Sequence, residues 1–296
     1  MSTLLWGIDL GGTKIECAGL DGDQVLARHR MHTEASQGYG HILDRIQTVI
    51  DETVAMTGER PNRLGLGTPG TLDPQSGLMR GCNTTALNNR PLLEDLQEML
   101  AVEVRIANDA NCFALAEALM GAGRTHRIVF GVIMGTGVGG GIVVDGQVLH
   151  GLQGIAGEWG HNPLETPGEK CYCGRVGCVE TVLSGPAVER FYQSLTGVHR
   201  PLKEIVDRYR QGTAYDPDAV MAINRLLAMF GRAIASIVNI LDPDAIILGG
   251  GVGNIDELYA LGAEAAKPHI FNPSPQIRLI RPILGDSAGV FGAALL

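Results

Sequence analysis

An internal repeat constrains this chain more than any other feature. With Trp6–Gly22 set against Phe130–Gly146, a constant offset of 124 residues and no gap, Gly7 falls on Gly131 and Gly11 on Gly135. The Asp21-Gly22 pair then falls on Asp145-Gly146. Each copy reads as an apolar strand, a glycine turn, a returning strand and a second turn marked by Asp-Gly. Whole hairpins repeated in order predict two related domains built on one plan. Helical periods alternate with these strands, as at Ile42, Ile46, Val49, Ile50 and Val54 in a helix expected over about 40–59. Alternation with crossovers makes the fold class α/β. The expected lobes are 1–112 plus 285–296, and 113–284, with an irregular loop over Gly151–Gly177. A long apolar helix over Asp218–Ile240 is expected in the interior or at a subunit contact, and a strand over Ile277–Ile280 follows it.

The chain has 41 glycines in 296 residues, about twice the usual share, without a collagen period. They must therefore serve turns and close backbone approaches. With 23 Lys+Arg against 32 Asp+Glu the net charge is −9, which argues against a nucleic-acid surface but not against a small anionic ligand. The N-terminus lacks a signal-peptide layout and no continuous run of 18 apolar residues appears, so no membrane partner is expected. Six cysteines, three of them bunched, fit a reduced, cytoplasmic protein with one cysteine-based site.

Three glycine loops sit at strand ends: Gly11-Gly12-Thr13-Lys14 after Asp9, Gly135-Thr136-Gly137, and Gly249-Gly250-Gly251. Each is either an ordinary turn or a phosphate cradle, in which bare backbone lets N–H groups approach the anion. None has the P-loop or the dinucleotide-binding spacing. Asp9 is a candidate for orienting Mg²⁺ or a plain turn cap, and Lys14 a phosphate contact or an exposed lysine. Asn108-Asp109 lies where a strand meets a helix. A carboxylate there can accept a hydroxyl proton in phosphoryl transfer, or the pair can cap the helix.

His161, Cys171, Cys173 and Cys178 follow the pattern H-x9-C-x-C-x4-C. Three thiolates and an imidazole suit a tetrahedral, closed, structural Zn²⁺; the alternative is a cysteine-rich loop without metal. Such a clip stiffens the loop 157–180 that carries Glu158 and Glu180, two acids able to bind adjacent sugar hydroxyls.

These segments, with Gly67-Thr68-Pro69-Gly70, Asn108-Asp109-Ala110-Asn111 and Gly135–Gly141, resemble the ROK family of sugar kinases and repressors. The resemblance spans essentially the whole chain. It implies a two-lobed actin-like/hexokinase-like ATPase fold with duplicated ribonuclease H-like domains, Asp109 as catalytic base, and ATP with Mg²⁺ as phosphoryl donor. It implies Gly11, Gly12, Thr13, Thr136 and Gly137 around the phosphates and Gly249–Gly251 beside adenosine. Asn83, Asn108, Asp109, Glu158, His161 and Glu180 would line a hexose, with His161 also a zinc ligand through its other ring nitrogen. Repressor members carry a DNA-binding segment before the first strand; only a few residues precede Leu4, so no nucleic-acid partner is expected. A homodimer is expected from the family. The segments Gly157–Leu164 and Asn239–Asp244 look most like fructokinases that also accept mannose, so fructose 6-phosphorylation is the expected activity. The alternatives are N-acetylglucosamine kinase, glucokinase, or a non-catalytic sugar-sensing regulator.

Overall fold

The computed structural model describes residues 4–296; the first residues of the expected N-terminal lobe, 1–3, lie outside the described residues. The chain opens with β1 (Leu5–Leu10), β2 (Lys14–Asp21) and β3 (Gln24–His32). The crossover helix α1 (Tyr39–Thr57) leads to β4 (Arg63–Thr68) and a small hairpin, β5 (Thr71–Leu72) with β6 (Met79–Arg80). Helix α2 (Leu92–Leu100), β7 (Glu103–Asn108) and α3 (Asp109–Leu119) complete this part. The sheet order is β3-β2-β1-β4-β7, antiparallel through the two hairpins and parallel from β1 onward. The parallel step needs a crossover, which α1 supplies. Its buried Ile42, Ile46, Val49 and Ile50 cover the sheet, and Gly58 in the left-handed region stops it.

The repeat uses the same plan. Strands β8 (Ile128–Met134), β9 (Val138–Val144) and β10 (Gln147–Val148) are followed by a helical region of α4 (Glu180–Leu183), α5 (Gly185–Thr196), α6 (Leu202–Gln211) and α7 (Pro217–Leu241). Then come β11 (Ala245–Gly249), α8 (Gly250–Gly253), α9 (Ala263–Ala266), β12 (Leu279–Ile280) and α10 (Ala288–Ala294). Sheet order β10-β9-β8-β11-β12 mirrors the first sheet, and β11 runs parallel to β8. The duplication and the actin-like, hexokinase-like α/β class are thus present. Strand β12 is shorter than expected; Pro273 and Pro275 lie just upstream, and prolines cannot donate to a ladder.

Two compact units emerge. One holds the chain up to Thr125 with Gly141–Ala156 and Ile283–Leu296; the other holds His126–Gly140 and Gly157–Pro282. Helix α3, which a boundary at residue 112 would cut, lies wholly in the first unit. The reason is α10: a Cβ on Gly292 would overlap the Cys112 carbonyl, and one on Gly65 the Ala293 carbonyl. Glycine at these crossings lets α10 lie directly on α3 and the sheet, so the three cannot be separated.

Among the described residues α7 alone is long and apolar enough to cross a bilayer, but 56% of its most apolar window is buried inside the protein. Asp216 caps it by accepting from Ala219 N–H at 2.9 Å, and Arg225 within it pairs with Glu165 at 2.7 Å. This is the pattern of a core helix.

Candidate active site

In the first unit, β1 delivers Asp9 to the mouth of the first glycine hairpin. Gly11 N–H donates to the Lys14 carbonyl at 2.9 Å, and the buried Thr33 donates its hydroxyl to the Gly11 carbonyl at 2.8 Å. Gly12, Thr13 and Lys14 are exposed at the tip. The Asp9 carboxyl is pushed up to about 7, by burial first and then by the charges of Asp109 and Glu16, with Arg30 opposing. Glu16 is itself held by Arg28 at 3.2 Å and by Arg30, and it accepts from Ser287 at 3.2 Å. Acids crowded this way favour a proton or a cation between them, which fits a divalent metal near Asp9.

Strand β7 ends at Asn108, and α3 begins at Asp109. Asn108 is the N-cap: its side-chain oxygen accepts from Ala110 N–H at 2.8 Å, and Asp109 Oδ1 shares that N–H at 2.8 Å. The two readings of this pair therefore divide between neighbours, Asn108 capping and Asp109 presented at the helix start. Protein surrounds Asp109 closely, yet its side chain meets solvent. Crowding raises its pKa, opposed by hydrogen bonds from Ala110 N–H and Asn108. A carboxylate of this kind is accessible yet held in place, as a general base requires. Asn83 is exposed and precedes Thr84, which sequence reasoning missed. The buried Thr84 Oγ1 has no hydrogen-bond partner among the described residues and lies 3.0 Å from where a Cβ on Gly12 would stand. Only the fold brings Thr84 to the glycine turn.

In the second unit the hairpin Gly135-Thr136-Gly137 joins β8 to β9, with Thr136 exposed. Gly135 N–H donates to the Gly137 carbonyl and Gly185 N–H to the Gly135 carbonyl, each at 2.9 Å. Glu180, at the start of α4, accepts from Val138 N–H at 3.0 Å through Oε2. The Gly249–Gly251 loop packs on the end of β8, where a Cβ on Gly250, at φ 80°, would overlap the Met134 carbonyl.

His161, Cys171, Cys173 and Cys178 offer ligand atoms that all lie within 4.8 Å of one another. Cys173 Sγ is 3.7 Å from Cys178 Sγ, and Cys171 Sγ is 3.5 Å from His161 Nδ1. A tetrahedral zinc with bonds near 2.3 Å has ligand–ligand edges of about 3.7 Å, so the donor set and spacing fit that ion. All four positions are filled by protein. The other ring nitrogen of His161, assigned by resemblance to a sugar hydroxyl, lies 3.1 Å from the Tyr172 hydroxyl. Tyr172 was not foreseen as a partner. Burial and the Glu180 and Glu158 carboxylates push its phenol up to about 12, so it stays neutral. The carboxylates of Glu158 and Glu180 thus both act on one phenol that also touches His161.

Proteins of known sequence and structure are similar to this chain over nearly its whole length. An N-acetyl-D-glucosamine kinase of Haemophilus influenzae is 36% identical over 305 residues, covering 99% of each chain. The crystal structure of a ROK hexokinase from Thermus thermophilus is 33% identical with a TM-score of 0.90, covering 99% of this chain and 97% of that one. A ROK family glucokinase from Streptomyces griseus, solved with glucose and AMPPNP, is 28% identical with a TM-score of 0.78, covering 98% of both.

These likenesses overturn the expectation of a fructokinase that also accepts mannose. The segments that suggested it have local structural duties. Asn162 accepts Val179 N–H at 2.9 Å through its carbonyl, and Pro163 bridges to Cys178, closing the cysteine loop. Asn239 accepts from Phe271 N–H and donates to the His269 carbonyl, each at 2.9 Å, fastening the end of α7. These bonds are local, one to the loop and one to the end of α7. What the motifs do mark in this chain are the paired glycine hairpins, the Asn-Asp helix start and the four-ligand loop. The ROK family sequence model matches residues 5–296, and the chain belongs to the ROK family.

Proposed function

We propose that this protein is a sugar kinase that transfers the γ-phosphoryl group of ATP to the 6-hydroxyl of an N-acetylhexosamine, N-acetylglucosamine first. The supporting observation is Asp109, an accessible but closely surrounded carboxylate at the start of α3, in a chain 36% identical to an N-acetyl-D-glucosamine kinase. Asp109 takes the proton as the hydroxyl oxygen attacks phosphorus, which sharpens the nucleophile only as charge develops. Backbone N–H groups at Gly12, Thr13, Thr136 and Gly137 meet the phosphates, Gly11 closing the first turn beneath them through its bond to the Lys14 carbonyl, with Lys14 alongside and Gly249–Gly251 beside adenosine. Asp9 holds Mg²⁺, which when bound neutralises phosphate charge. Asn83, Asn108, Glu158, His161 and Glu180 take sugar hydroxyls. Cys171, Cys173, Cys178 and His161 Nδ1 hold a structural Zn²⁺ that fixes the loop bearing Glu158. The working form is a cytoplasmic homodimer.

A second reading, glucokinase, is favoured by the likeness to the glucose-bound Streptomyces enzyme. A coupled assay of ADP release across N-acetylglucosamine, N-acetylgalactosamine, N-acetylmannosamine, glucose, mannose and fructose decides. The highest kcat/KM is expected on N-acetylglucosamine. Preference for glucose establishes the second reading, and sugar binding without ADP release places the chain among non-catalytic regulators.

A further inference from the structure

Residue 180 has a structural partner that a sugar-hydroxyl role does not account for. Its Oε2 accepts the Val138 N–H at 3.0 Å, at the foot of the second glycine hairpin. A Cβ on Gly137 would stand 2.7 Å from the same oxygen, so the carboxylate lies directly against the turn. The other foot is fixed as well, since Gly185 N–H, five residues along the same segment, donates to the Gly135 carbonyl at 2.9 Å. Behind the hairpin, Trp159 Nε1–H donates to the Gly139 carbonyl at 2.9 Å, and a Cβ on Gly160 would overlap the Val138 carbonyl. The segment carrying Glu180 is in turn tied down, Val179 N–H donating to the Asn162 carbonyl at 2.9 Å.

We propose that Glu180 is a positioning residue for the nucleotide, acting through the backbone of the Gly135–Val138 hairpin. This rests on the reading of that hairpin as a phosphate cradle. A cradle made of N–H groups works only if those groups converge, and a glycine turn has many other conformations to visit. By accepting Val138 N–H, the carboxylate fixes one foot and leaves the tip N–H groups free to point at an anion. An ionised acceptor makes this bond stronger than a neutral one. Gly137 is then required twice, for approach to phosphate and to make room for Glu180. The neighbouring Cys178 joins this anchor to the four-ligand loop, so one rigid insert serves both that loop and the nucleotide hairpin.

The test is calorimetric titration of AMPPNP with Mg²⁺ into the full-length protein, without sugar, in parallel with titration of sugar alone. Glu180→Ala is expected to weaken AMPPNP about tenfold. Glu180→Gln keeps an acceptor oxygen and is expected to recover most of that loss. Gly137→Ala, whose new Cβ displaces the carboxylate, is expected to weaken nucleotide in the wild-type background but much less in Glu180→Ala. Such non-additivity is not produced by general destabilisation. If Glu180→Ala alters sugar affinity while AMPPNP binds as before, or if the two substitutions add, the proposal is overturned. Failure of the wild-type protein to bind AMPPNP refutes the cradle itself, a result distinct from either.

Discussion

The hairpin at Gly11–Lys14 and its repeat at Gly135–Val138 have the same place in the same sheet plan, yet different parts of the chain hold them. The first is finished by its own sheet: Thr33, just past the end of β3, donates its hydroxyl to the Gly11 carbonyl at 2.8 Å. At the matching Gly135 carbonyl the donor is Gly185 N–H, and Val138 N–H goes to Glu180. Both partners follow the cysteine loop, more than 40 residues away in sequence. The acids are divided as unequally. Asp9 in β1 corresponds to Ile133 in β8, so the first copy carries the charged group and the second carries only backbone donors. The repeat thus gives two equivalent turns, one beside a buried acid and closed by its own sheet, the other held by residues from beyond the cysteines.

This contrast is broken most severely at Asp109. Asp109→Asn keeps the helix start, because Asn108 supplies the cap, and removes only the proton acceptor. A fall in kcat of about a thousandfold is expected, with sugar affinity little changed. Retention of more than a tenth of kcat in steady-state assays would show that the base lies elsewhere. Next in size is the cluster. Elemental analysis is expected to find zinc in the wild-type protein, and Cys173→Ser, which leaves three ligands, should reduce or abolish it. Because the hairpin in the second unit leans on residues following this loop, melting temperature and AMPPNP affinity should fall together. If zinc is lost while nucleotide binding stays intact, the two are not mechanically joined.

Much of this was legible in the sequence because it is periodic or local. The hairpins declared themselves by Asp-Gly turns and by a repeat without gaps, and the metal set by a spacing that survives as a cluster of four ligand atoms within 4.8 Å. The Asn108 cap follows from residue type at a strand–helix junction. Contacts made by backbone were not legible. Nothing in Glu180 as a letter shows that its oxygen meets Val138 N–H, nor in Thr84 that its hydroxyl reaches Gly12. The place of α3 escaped for the same reason, since it depends on the bare glycines under α10. Sugar preference was misread from Asn162-Pro163 and Asn239, whose bonds in the structure are local: a main-chain carbonyl at 162 and a side-chain clasp at 239.

A smaller effect tests the acidic half of the comparison. Asp9 titrates near 7 in the folded chain against an ordinary value of 3.8, so the folded state binds the extra proton between these pH values. The stabilisation is complete below about pH 4 and is lost as pH rises through 7. Asp9→Asn should therefore melt with the wild-type protein at pH 4 and several degrees above it at pH 8, without Mg²⁺. A wild-type melting curve equally stable at both, with no gain from the substitution, would mean that Asp9 is not held under this electrostatic pressure.

The smallest effect discriminates the hairpins most directly. Thr33→Val removes the hydroxyl that serves the Gly11 carbonyl but keeps the backbone bond from Thr33 N–H to the Thr13 carbonyl at 2.9 Å. One neutral hydrogen bond of this kind is worth about 1 kcal/mol, or about 2–4 °C in melting temperature for a chain of this size. Thr33→Ser should restore it. AMPPNP affinity should change by no more than about threefold, since the strands on both sides still hold the turn. If Thr33→Val instead weakens AMPPNP as much as Glu180→Ala does, each hairpin depends equally on its side-chain anchor. The difference between a turn closed by its own sheet and one held from the cysteine loop would then have no consequence for nucleotide binding.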